Sequence, residues 1–266
     1  MDKANSASTL MLPSVKLSEN AGSPIEDVTG YWSIVGALLY LCHTGPDVMY
    51  SVHRVAQYMH RPCEEHLAAV KRILRYLNGT LHYGLVFRPS EVDASLVVFS
   101  DADWGSSPDD RRSTSGYCAY LGNNILTWSS RKQKEVSRST MEAEYRSIAD
   151  AVSEVTWLRS LLTDMGVQQK DVPVVWSDST SAISLSMNPV FHSQSKHVDL
   201  DVHFVREKIA DNSLRVNYVP ASHQTADGFT KALTCSYFDL FRQRLNVVTF
   251  SQICGENEKS RGNVKL

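Results

Sequence analysis

The chain has 266 residues, enough for one large domain or two small ones with a sizeable core. Hydrophobic residues make up 42% and charged residues 21%, which excludes a disordered or fibrous chain. The formal net charge of −2 excludes a global positive field, so nucleic-acid binding has to come from local patches.

Residues 1–26 are rich in Ser, Asn and Pro with little periodicity and read as an extended or partly disordered lead-in. Three helical patterns follow: residues 29–43, then "DVMYSVHRVAQYMH" after "GPD", then "EEHLAAVKRILRYLNGT" with acids in its first turn. Residues 27–92 thus form a small helical unit. Its most apolar window, "YWSIVGALLYLC", is shorter than the ~18–20 residues that span a bilayer, and no membrane segment is expected.

Beyond "GLVFRPSEVDA" the texture changes. "SLVVFS" is a short apolar strand, and "STSGYCAYLGNNILTWSS" reads as two strands around an Asn123-Asn124 turn. From Ser139 to Met165 apolar residues recur at Met141, Tyr145, Ile148, Val152, Val155, Leu158 and Leu162, the stripe of a long amphipathic helix that Ser139 or Thr140 can cap. "VPVVWSD" is a strand ending in an aspartate and "STSAISLSM" a short helix. A helix over 200–211, the strand "LRVNYVP" and a helix from about Gln224 follow. This order predicts an α/β protein, a mixed sheet flanked by helices over 93–235, with residues 236–266 as a C-terminal helix and polar tail.

Four acids sit at element ends: Asp101, Glu142, Asp178 and Asp227. Each alone has an ordinary structural reading as a cap or turn residue. Brought together by a fold, they would form an oxygen-only cluster that repels itself unless hard cations such as Mg²⁺ or Mn²⁺ fill it. Asp103 reads as a residue of the loop after the first strand. The five cysteines form no CxxC pair, and His192, His197 and His203 have no zinc-site spacing. A reducing, intracellular setting fits the cysteines best.

"YWSIVGALLYLCHTGPDVMYSVHRVAQYMHRPCEEHLAAVKRILRYLNGTLHYGL", "SDADWGSSPDDRRSTSGYC", "STMEAEY", "NPVFHSQSKHVDLDVHFVREKI" and "ADGFTKAL" resemble the C-terminal part of the Pol polyprotein of copia-type LTR retrotransposons. The resemblance runs from about residue 10 to 248. It implies a thumb or connection remnant of a reverse transcriptase followed by a ribonuclease H-like domain with a mixed five-stranded sheet. It also implies metal-dependent hydrolysis of the RNA strand of RNA–DNA hybrids. Carried over residue by residue, the metal-binding acids fall on Asp101 of "SDADW", Glu142 of "STMEAEY", Asp178 of "WSDSTSA" and Asp227 of "ADGFTK". They would hold two Mg²⁺ or Mn²⁺ ions.

Glu142 and Glu144 lie about 200° apart around a helix, so only one can face the site. Projection from the apolar stripe places Glu144 nearer the core, whereas the family pattern favours Glu142, which is followed here. Related nucleases carry a histidine near the fourth acid, which would be His223, although a surface-loop histidine is the plainer reading. Gly228 stands where relatives place a large apolar residue.

Arg111, Arg112, Arg131, Lys132, Lys134 and Arg138 flank the acids and are the expected phosphate contacts, with a second basic patch at Lys71, Arg72 and Arg75. The expected partners are an RNA–DNA hybrid and the remaining Pol segments, in the cytoplasm, a retroelement particle or the nucleus. No Y-x-D-D hairpin occurs, so polymerisation by this chain alone is not expected. The rival reading is a non-catalytic or domesticated fragment that binds nucleic acid without cleaving it. An integrase-like nuclease is disfavoured by the lack of a His/Cys module and by "ADGFTK".

Overall fold

The computed structural model describes residues 4–20, 22–89, 95–167, 169, 171–187 and 198–253. In chain order the elements are α1 (Val28–Leu41), α2 (Met49–Ala56), α3 (Glu64–Gly79), β1 (Tyr83–Leu85), β2 (Leu96–Asp103), β3 (Thr114–Leu121) and β4 (Asn124–Lys132). After them come α4 (Thr140–Asp164), β5 (Val174–Ser177), α5 (Thr180–Met187), α6 (Asp199–Ala210), β6 (Arg215–Tyr218), α7 (Cys235–Arg244) and β7 (Val247–Thr249). They fall into two compact units, Met1–Phe87 with Ala232–Leu266, and Arg88–Lys231.

In the helical unit, Asp27 caps α1 by accepting from the Gly30 N–H at 2.8 Å. The lead-in is no loose tail: Thr9, Leu10, Met11 and Leu17 are buried, because a short helical unit otherwise lacks apolar cover. The chain returns to this unit after residue 231. β7 pairs antiparallel with β1, Phe238 of α7 meets the Tyr76 ring edge-on, and the Arg242 guanidinium lies 4.6 Å from the centre of the Tyr83 ring. Arg72 donates to the Thr9 hydroxyl at 2.8 Å, so the expected basic patch on α3 spends one of its cations inside the unit.

The second unit is the expected mixed five-stranded sheet, ordered β4-β3-β2-β5-β6. β2, β3 and β4 are antiparallel neighbours, and β5 and β6 add in parallel. The β3–β4 turn is centred on Gly122-Asn123, one residue earlier than expected, because Gly122 takes the left-handed φ of 58° without steric cost. β2 continues through Asp103, which pairs with Thr114, so Asp103 is a strand residue and not the loop residue expected.

The apolar stripe of α4 is buried as the spacing predicts, with Tyr145, Ile148, Val152, Val155 and Leu158 joining Leu96, Val98, Val175 and Val216 of the sheet in one core. Burying each such aliphatic side chain stabilises the fold by about 1.5–3 kcal/mol. Where an α-helix was expected from about Gln224, the chain makes two short 3₁₀ turns, Ala221–His223 and Thr225–Phe229. The side chain of Gln224 captures the Ala226 N–H at 3.1 Å, and Gly228 lowers the propensity for a longer helix. Among the described residues no helix is long and apolar enough to cross a membrane.

Candidate metal centre

Sheet register sets the first two acids side by side. β2 and β5 run parallel with Phe99 opposite Trp176, and two residues further along each chain stand Asp101 and Asp178. Adjacent strands lie about 4.8 Å apart, which brings the two carboxyls within reach of one another.

The long helix supplies the third acid, and it is Glu144. Ser139 is the N-cap of α4, accepting from the Glu142 N–H at 3.2 Å. Glu142 folds back over that cap: one oxygen accepts from the Arg138 N–H at 2.7 Å and the other from the Arg146 guanidinium at 3.1 Å. Both of its oxygens are thereby spent on the helix start, as in a capping box. Glu144, turned about 200° away, offers a carboxylate oxygen to a group with Asp101 and Asp178 whose ligand atoms all lie within 4.8 Å of one another. The expected assignment of Glu142 is therefore corrected in position; projection from the buried stripe had pointed to Glu144.

The fourth acid arrives through a close approach. Gly116 pairs with Asp101 across β2 and β3, and a Cβ built on it would lie 2.7 Å from Phe229 Cβ and from Thr230 Cγ2. The missing side chain lets the segment after the second 3₁₀ turn press against the sheet. There Thr230, fully buried, donates its hydroxyl to Oδ2 of Asp101, and the Asp227 carboxyl is a charged neighbour of Asp101. Lys231 pairs with Asp227 at 2.8 Å. Gly228 is buried within the turn beside Asp227.

The electrostatics follow from crowding. Burial, and then the neighbouring Asp227, push the Asp101 carboxyl up to about 6. Burial, Asp101 and Asp178 push Glu144 up to about 9. Asp178 is raised by burial and by Asp101, and Asp227 by burial against the pull of Lys231. For Lys231 itself, burial opposes the charge but Asp101, Asp227 and Asp178 outweigh it. Among the described residues, Oε2 of Glu144 is buried with no hydrogen-bond partner. An orphaned buried carboxylate oxygen inside a set of hard oxygen donors fits a divalent ion such as Mg²⁺ or Mn²⁺, which could be held by Asp101, Glu144, Asp178 and Asp227.

The basic residues divide. Arg111, Arg131, Lys134 and Arg138 are exposed. Lys132 and Arg112 are instead drawn to Asp110, at 2.9 and 3.6 Å. Slight burial opposes it, but Lys132, Ser107 and the Arg112 N–H hold the Asp110 carboxyl down to about 2. His223 is exposed at the end of the first 3₁₀ turn, 3.0 Å from the Ser222 hydroxyl. His203 is exposed on α6, while His192 and His197 lie outside the described residues. Gln224, Thr230 and Lys231 escaped the sequence reading. The only signal for them was their place around Asp227 in the phrase "QTADGFTK".

No family model matches the chain. It is 46% identical over 247 residues to the retrovirus-related Pol polyprotein from transposon RE1 of Arabidopsis thaliana, covering 93% of this chain and 17% of that polyprotein. It is 36% identical over 250 residues to the Pol polyprotein from transposon TNT 1-94 of Nicotiana tabacum, covering 91% and 19%. The chain therefore spans less than a fifth of the length of these curated relatives. Among solved structures it is similar to the N-terminal RNase H domain of a Mycobacterium tuberculosis protein, with TM-score 0.36 and 17% identity over 56% of this chain and 97% of that one. It is also similar to LC11-RNase H1 in complex with an RNA/DNA hybrid, with TM-score 0.39 and 14% identity over 51% and 94%.

Proposed function

Because this chain belongs to the Pol polyproteins of copia-type LTR retrotransposons, we propose that its Arg88–Lys231 unit is a ribonuclease H that hydrolyses the RNA strand of RNA–DNA hybrids at the Asp101 cluster. The observation that carries this reading is the convergence of Asp101, Glu144 and Asp178 within 4.8 Å, with one Glu144 oxygen buried and unpartnered.

Two divalent ions, when bound, would activate the attacking water and stabilise the oxygen that leaves phosphorus. The chain's own residues prepare that chemistry. Asp101, Glu144 and Asp178, with Asp227 from the turn after β6, are the carboxylates that would hold the ions. Thr230 orients the Asp101 carboxyl, and Lys231 offsets the negative charge of Asp227. The exposed Arg111, Arg131, Lys134 and Arg138 are the phosphate contacts, and the hybrid is read by its shape and by the 2′-hydroxyls of its RNA strand, without strong base preference. The helical unit grips nucleic-acid backbone alongside the remaining Pol segments, inside the cell.

A labelled RNA–DNA hybrid, incubated with and without Mg²⁺, tests the reading. Cleavage should require the ion and fall at least about 100-fold in Asp101→Asn, with hybrid binding retained. Tight binding without cleavage by the natural chain would make it a binding module instead.

A further inference from the structure

Gln224 is only 2% exposed and bonds next to two of the four acids. Its Nε2 donates to the carbonyl of Ser100, the residue before Asp101, at 2.9 Å. Its Oε1 accepts from the N–H of Ala226, the residue before Asp227, at 3.1 Å. A primary amide is both donor and acceptor, and here Nε2 and Oε1 each find a partner.

The chemistry of these contacts calls for an amide at this position. A carboxylate would carry a further negative charge into a cluster that already repels itself, and would offer no hydrogen to the Ser100 carbonyl. An apolar side chain would leave that carbonyl and the Ala226 N–H short of a partner in the interior, where an unmet polar group is costly. Asn, one methylene shorter, keeps the amide but loses reach. Glutamine alone of these is neutral, long enough and both donor and acceptor.

We infer that Gln224 is a positioning residue: it ties β2, beside Asp101, to the turn carrying Asp227, and so sets the spacing of those carboxylates for a divalent cation. This rests on the cation reading of the cluster given above. The sheet register sets Asp178 beside Asp101, but Asp227 arrives on a turn outside the sheet. The Gln224 side chain bonds next to Asp101 and next to Asp227.

The full chain carrying Gln224→Leu, and separately Gln224→Asn, should be titrated with Mn²⁺, free ion being followed by electron paramagnetic resonance. Hybrid cleavage is measured alongside. Gln224→Leu should raise the Mn²⁺ concentration for half-saturation at least about tenfold, equivalent to about 1.4 kcal/mol. It should lower kcat at fixed Mg²⁺ while KM for the hybrid stays within about twofold. Gln224→Asn should fall between it and the natural chain, and keeps the test open if the leucine variant does not fold.

Val155→Ala, a core truncation on α4, supplies a destabilised control that should leave Mn²⁺ affinity unchanged. Natural Mn²⁺ affinity in both Gln224 variants would overturn the inference, as would an equal loss of affinity in Val155→Ala. A natural chain that binds Mn²⁺ but cleaves no hybrid would sink the ribonuclease reading and leave the positioning role standing. A natural chain that binds no Mn²⁺ would sink the positioning role.

Discussion

Glu144 faces Asp101 while Glu142, two residues earlier on the same helix, closes the helix start against the Arg138 N–H and Arg146. The two glutamates therefore predict opposite phenotypes. Glu144→Gln should reduce Mg²⁺-dependent hybrid cleavage at least about 100-fold and leave the metal-free protein no less stable, since it removes a buried, crowded carboxyl. Glu142→Gln should cost about 1 kcal/mol of stability through the weakened cap and keep cleavage within a few-fold. Gel assays on a labelled hybrid and thermal melts of both variants decide; the reverse pattern would return the ligand role to Glu142.

The crowded carboxyls make a pH prediction with a definite sign. Burial and crowding push the Asp101 and Glu144 carboxyls up to about 6 and about 9, above the usual carboxylate range. The native state then holds more protons than the unfolded chain, so their contribution to stability is present at low pH and is lost as pH rises through those folded values. Metal-free melting temperature should fall between about pH 5 and about pH 9, and Mg²⁺ should restore progressively more of it toward the alkaline end. Calorimetric melts with Mg²⁺ and with EDTA check this; a metal-free melting temperature that rises over that range would contradict it.

Gly116 has room for no side chain, since an added Cβ would lie 2.7 Å from Phe229 Cβ and Thr230 Cγ2. Gly116→Ala should destabilise by about 1–3 kcal/mol, as overpacking does. Because the displaced segment carries Asp227 and Thr230, cleavage assayed well below the melting temperature should also fall. Cleavage at the natural level in a folded Gly116→Ala protein would show that the close approach does not set the site.

Lys231 meets Asp227 at 2.8 Å and also feels Asp101 and Asp178. Removing its charge in Lys231→Met should lower the metal-free melting temperature at neutral pH and enlarge the rise on adding Mg²⁺. Melts with and without the ion measure both. An unchanged response would mean that the ammonium does not balance the cluster.

In the helical unit, Asp47 is buried and accepts a hydrogen bond from the Tyr76 hydroxyl, with Arg242 of α7 close by. Tyr76→Phe should cost about 1–3 kcal/mol by leaving the carboxyl short of a donor. Denaturant melts followed by limited proteolysis of α1–α3 would detect this, while hybrid cleavage should hardly change.

The sequence by itself determined most of the regular elements and the place of two acids. The apolar runs of β2 and β5 lead into Asp101 and Asp178, and the stripe from Tyr145 to Leu162 fixes which face of α4 is buried. Both are local regularities that burial alone enforces. Only the tertiary structure decided which glutamate meets the other acids. Position along a helix does not show whether a carboxylate folds back onto its own N-terminus, as Glu142 does, or meets acids contributed by other elements, as Glu144 does. The same holds for Gln224, Thr230 and Lys231, polar residues with no periodic signature, whose partners lie on β2 or in the turn after β6. It holds too for α7, which packs with α3 and β1 because long-range pairing carries no mark in local spacing.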